Sequence, residues 1–199
     1  MNGKRTNFIL IIPLISFLLG CDQDNSILPP EQAGLGYFPM QIGNQWQYAM
    51  TSNPAFQWEY EIVGKMKLGQ REYFVFERRF DQGASVFVDS AFYRLAGIAK
   101  IYTYYQGRDA LYIDFGRAKG HRWKSYSEYD GIMNQKGFTK TVPAGQFKDC
   151  VEIFFDIPQA IDDENWETYA PGVGLLEMYS GWIPNVQLQS AFVNGVSYP

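Results

Sequence analysis

Phe56-Gln57-Trp58-Glu59-Tyr60-Glu61-Ile62 puts four large apolar side chains on one parity and three polar ones on the other. A period of two is that of a strand with one face buried, and it does not fit an amphipathic helix. The pattern recurs along the chain. Phe74, Phe76 and Phe80 share a parity, as do Leu111, Ile113 and Phe115, and Val151, Ile153, Phe155 and Ile157. Turn-forming segments separate these runs: LGQR at 68–71, DQGA at 81–84, QGRD at 106–109, YDG at 129–131 and VNGV at 193–196. Strands at this spacing predict an all-β fold, a single antiparallel meander sheet, strongly curved or a half-barrel, with few or short helices. Residues 159–168 (QAIDDENWET) form the one segment read as a short helical turn. No internal repeat and no second domain is visible.

The N-terminus has a different character. Lys4 and Arg5 precede the apolar FILIIPLISFLLG, which is the build of an export signal and too short for a permanent membrane span. Leu18-Leu19-Gly20-Cys21 resembles the lipobox of bacterial lipoproteins, in which the peptide is cut before the cysteine and the cysteine is acylated. The chain therefore divides into a signal at 1–20, a lipidated Cys21 with a polar tether at 21–36, and a single β domain at 37–199. A flexible tether of this length reaches on the order of 20 Å. Two or more acyl chains on Cys21 hold a protein stably to a membrane, whereas one binds reversibly.

Asp22 resembles an inner-membrane retention signal, while acidic residues in this region resemble surface-export signals. The outer membrane or cell surface is the favoured address, with the leaflet open. Removing 1–20 takes Lys4 and Arg5 and no acid, leaving 15 basic against 21 acidic residues, a net charge of −6. That sign argues against nucleic acid or anionic lipid as a partner. It also leaves Cys150 as the one unmodified thiol, so no intramolecular disulfide is expected.

Tyr37-Phe38-Pro39-Met40-Gln41-Ile42-Gly43-Asn44-Gln45-Trp46, Val142-Pro143-Ala144-Gly145-Gln146-Phe147-Lys148-Asp149-Cys150 and Tyr169-Ala170-Pro171-Gly172-Val173-Gly174-Leu175, in that order, resemble a family of uncharacterised lipoprotein domains common in Bacteroidota. The resemblance covers most of residues 37–180 and implies no established activity. In architecture, a long meander on a lipoprotein resembles the curved half-barrel of LolA/LolB-like carriers, which accept acyl chains on a concave face.

Candidate chemistry is sparse. A nucleophilic cysteine needs nearby positive charge or a histidine base, yet Cys150 has Asp149 and Glu152 beside it, and the lone histidine, His121, lies in the distant KGHRW. Cys150 therefore reads as a packed thiol. Zinc needs three or four Cys or His ligands, and no such set exists here. Asp162-Asp163-Glu164 lacks calcium-loop spacing, and Gly172-Val173-Gly174 lacks the rest of a phosphate loop. No cofactor, metal or catalytic residue is expected.

The positive signal is aromatic: Phe 15, Tyr 14 and Trp 5 among 199 residues. Trp58, Tyr102, Tyr104, Tyr105, Trp166 and Trp182 are the candidate ligand-binding residues, because these rings bury an apolar body while keeping a polar edge. Two functions remain. One is a membrane-tethered, non-catalytic binding or assembly module for an apolar ligand or an envelope protein. The other is a carboxylate-based hydrolase of envelope polymers.

Overall fold

The structure, a computed structural model, describes residues 36–97, 99–181 and 184–199. Cys21, the segments expected to be the signal and the tether up to residue 35, and the candidate Trp182, lie outside the described residues. The first half of the chain forms β1 (Gln45–Met50), β2 (Asn53–Leu68), β3 (Arg71–Asp81), β4 (Val86–Ala96), β5 (Lys100–Tyr105) and β6 (Arg108–Asp114). The second half forms β7 (Arg122–Lys124), β8 (Asp130–Val142), β9 (Gly145–Asp156), β10 (Asn165–Ala170), β11 (Gly174–Ser180), β12 (Val186–Val193) and β13 (Val196–Tyr198).

Every pairing is antiparallel, and all strands belong to one sheet in the order β6-β5-β4-β3-β2-β1-β12-β11-β10-β9-β8-β7, with β13 added beside β12. The expected meander is thus two meanders, β1–β6 and β7–β12, joined where β1 pairs with β12. Tight turns make the hairpins. Gln106 and Gly107 both have positive φ (48° and 79°), the backbone of a two-residue turn that matches strand twist. Two local expectations give way. YDG at 129–131 is not a turn: the chain reverses at 125–129, where Ser125 N donates to Tyr129 O (2.8 Å), and Gly131 already pairs within β8. Of the helical segment, residues 165–168 are strand β10, because Asn165 to Tyr169 find ladders on both sides.

The sheet curls until its end strands meet, giving a nearly closed barrel. β6 and β7 share no ladder. Instead Trp123 Nε1 and Ser125 Oγ both donate to the carbonyl of Tyr112, at 3.0 and 2.7 Å. Lys136 Nζ crosses the same seam to the carbonyls of Phe115 and Arg117.

Inside, one cluster gathers Trp46, Tyr48, Ile62, Phe76, Leu176 and Leu188, and a second gathers Ile101, Ile113, Met133, Ile153, Phe155 and Tyr169. Phe38, Tyr93 and Leu175 touch both clusters. Two of the blocks that carry the family resemblance meet at this floor. Trp46 Nε1 donates to Val173 O (2.7 Å), and a Cβ on Gly174 would stand 3.3 Å from Pro39 and 3.4 Å from Trp46.

Candidate functional site

The barrel is not packed throughout. A cavity of about 310 Å³ is lined by rings from β1 (Trp46, Tyr48), β2 (Trp58, Tyr60), β3 (Phe76, Phe80), β4 (Tyr93), β6 (Tyr112) and β10 (Tyr169), with Phe38, Tyr126 and Met178 completing the wall. Cross-strand pairing stacks the wall in layers. Trp58 faces Phe80, Tyr60 faces Arg78, and Ile62 faces Phe76 across the β2–β3 ladder. Phe76, Trp46 and Tyr48 are buried, whereas Trp58, Arg78 and Phe80 are half-buried, so the Trp58–Phe80 layer lies toward the opening.

Two charged side chains line this apolar space, Arg78 and Glu167. Arg78 is matched. Its Nε and Nη2 donate to the two carboxylate oxygens of Asp89 at 2.8 and 2.7 Å, and its guanidinium lies 5.7 Å from the Phe80 ring centre. Burial works against the charge of Arg78, but the bond to Asp89 and the neighbouring Tyr93 and Tyr60 outweigh it and raise the pKa.

Glu167 stands opposite. β10 alternates Trp166 outward, Glu167 inward, Thr168 outward and Tyr169 inward, so the carboxyl and the Tyr169 phenol share the interior face. Tyr169 Oη donates to Oε2 at 2.6 Å, and Tyr112 Oη lies 2.7 and 2.6 Å from the two carboxyl oxygens. Tyr112 reaches it because of a bulge. Ile101 pairs with Ile113 and Tyr102 with Leu111, which leaves Tyr112 as the extra residue of β6.

Burial dominates the carboxyl's chemistry and raises its pKa above the usual 4.5, against the lowering effect of the bonds from Tyr112, Tyr169 and Asn165. The phenols respond in kind. Tyr48, Tyr60, Tyr93, Tyr112, Tyr126 and Tyr169 are all raised, first by burial and then by neighbouring groups that include Glu167.

The aromatic residues singled out from the sequence fall in three places. Trp58 lines the cavity, and Tyr105 packs edge-on against its wall residue Tyr126, with ring centres 5.4 Å apart. Tyr102 and Tyr104 lie on the outer face. There Arg94 stacks on Tyr102 (4.3 Å) and pairs with Asp109, while Tyr104 packs against Tyr73, whose Oη donates to Asp109 at 2.7 Å. Trp166 is also outside, stacked on Tyr179 with ring centres 4.8 Å apart and 4° between planes.

Cys150 is fully buried in the first core cluster, its Sγ 3.3 Å from Phe147 O. Burial, with Asp149 adding, pushes the thiol pKa up, the opposite of what a nucleophile needs. Asp149 has a left-handed φ of 54°, and the β8–β9 register shifts here, so Cys150 and Val151 are both buried despite being neighbours. Asp163 accepts from the backbone N–H of Ile157 and so closes its own loop.

Glu167, Tyr112 and Tyr169 were not singled out from the sequence. The available signal was Glu167 beside Trp166 in a run that could be read with period two.

No protein-family model matches the chain, and no curated protein matches it. Two solved structures are similar. One is a Bacteroides fragilis protein inferred to be exported, with a YmcC-like fold, at 15% identity and a TM-score of 0.49. The other is a Parabacteroides distasonis protein inferred to be a lipoprotein, at 14% identity and a TM-score of 0.44. Each match covers 78% of this chain and 98% of the other.

Proposed function

We propose that the chain is a membrane-tethered, non-catalytic binding protein of the bacterial envelope that holds a small apolar molecule inside its barrel. The observation that carries this reading is the cavity of about 310 Å³, whose size and aromatic wall match small-molecule sites. Packed cores leave few voids larger than a water molecule, so an opening of this size in a barrel rich in large side chains is a feature to explain. The hydrolase reading finds less support. Paired-carboxylate catalysis uses two acids across the scissile bond, and among the described lining residues Glu167 is the single acid.

Uptake of the uncharged fluorophore N-phenyl-1-naphthylamine by the full chain carrying Cys21→Ser tests this reading. Saturable enhancement is expected, at least about tenfold weaker in Met178→Trp, which puts an indole into the cavity, with an unchanged melt. Uptake that does not saturate, or that ignores Met178→Trp, overturns it. Turnover of a glycan, peptide or lipid ester that is lost in Glu167→Gln with an unchanged melt would establish the hydrolase instead.

A further inference from the structure

The cavity is electrically unbalanced. Arg78 is neutralised by Asp89 across the β3–β4 ladder, in a two-point bond. Glu167, only 6% exposed, enters no ion pair among the described residues, and its partners are all neutral: the phenols of Tyr112 and Tyr169 and, at 3.5 Å, the amide of Asn165. A carboxylate in an apolar interior is costly without a positive partner and otherwise takes up a proton. The groups facing it from each surrounding element are Tyr48 on β1, Tyr60 on β2, Arg78 on β3, Tyr93 on β4, Tyr112 on β6 and Tyr126 before β8, with Tyr169 and Asn165 on its own strand. Apart from Arg78, which is already engaged, none of them is cationic. What surrounds the carboxyl is a wall of electron-rich rings, the surface that attracts organic cations.

We infer that the occupant of the barrel is an organic cation, an amine or quaternary ammonium on an apolar body, with its charged nitrogen beside Glu167 and the rings of Tyr60, Tyr93 and Tyr126. The inference rests on the cavity being a binding site and adds the charge of what it takes. A cation supplies the missing partner, so its binding expels the carboxyl proton to solvent. Affinity for it therefore rises with pH, while affinity for an uncharged molecule does not. An anionic molecule would face Glu167 and find Arg78 occupied.

Three probes on a shared benzyl body separate these cases on the full chain carrying Cys21→Ser: benzyltrimethylammonium, its uncharged carbon isostere neopentylbenzene, and the anion phenylacetate. Trp46 and Trp58 in the wall report binding by their fluorescence. The cation is expected to bind at least about tenfold more tightly than the isostere. That preference should shrink to about threefold or less in Glu167→Gln, and in the unsubstituted chain it should grow between about pH 5 and about pH 8. The pH series stands even if the variant fails to fold. Equal affinity for cation and isostere, a preference that survives Glu167→Gln, or tighter binding of phenylacetate overturns the inference and leaves the binding function standing. If none of the three probes, nor the naphthylamine, binds, the binding function falls with it.

Discussion

A carboxyl pinned between two phenols in an apolar wall takes part in stability as well as recognition. Because burial raises the pKa of Glu167 in the folded chain above the 4.5 of an exposed carboxyl, the folded state holds the proton more tightly than the unfolded state. The resulting stabilisation is complete below about pH 4.5 and is lost as pH climbs through the higher folded value. Glu167→Gln keeps the shape and removes the titration. In the absence of ligand, the melting temperature of the unsubstituted chain is therefore expected to fall relative to Glu167→Gln between about pH 5 and about pH 8, with parallel curves counting against the assignment. The sequence hid this residue for a physical reason. Alternation tells which side chains share a face but not which face is inside, and an acid next to a tryptophan reads as the solvent side. In β10 the reverse holds: Trp166 is outside and Glu167 within. Cys150 was legible as a packed thiol from the acids beside it in the sequence, and in the fold burial, with Asp149 adding, raises its pKa.

Among the elements, long alternating runs such as β2, β3 and β9 could be read directly, whereas bulges could not. The extra residue in β6 turns Tyr112 into the barrel and makes half of the Glu167 site, and no one-strand pattern announces it. The short β7 was also invisible, yet it holds the seam. A Cβ on Gly131 would stand 2.3 Å from Trp123 Cε2, so the indole lies directly over the glycine and is aimed from there at Tyr112 O. Gly131→Ala is expected to displace the indole and cost about 1–3 kcal/mol, a typical overpacking penalty. Gly64→Ala, where an added Cβ meets nothing within 4 Å, serves as the control at within about 0.5 kcal/mol. Denaturant melts of the two variants measure this, and equal losses would remove the bracing role of Trp123.

At the scale of the whole molecule, the all-β curved sheet was predictable, and its near-closure was not, because closure depends on side-chain bonds between the two end strands. The proposed tether is a separate matter, and the sequence feature behind it is Leu18-Leu19-Gly20-Cys21. Cys21→Ser is expected to shift the protein from membrane to soluble fractions, or to leave it uncut, and to abolish labelling by a fatty-acid probe. Persisting label would refute acylation at Cys21. The ladder that joins the two meanders also sets the timing of folding. Gln45 pairs with Phe192 and Met50 with Val186, so β1 stays an open edge until nearly the last strand of the chain is available. Contacts this far apart in sequence slow the search for the native state. Each meander can form its own hairpins early, but the barrel is completed in a late step, and a chain stalled or clipped before β12 would present two unpaired edges to its neighbours.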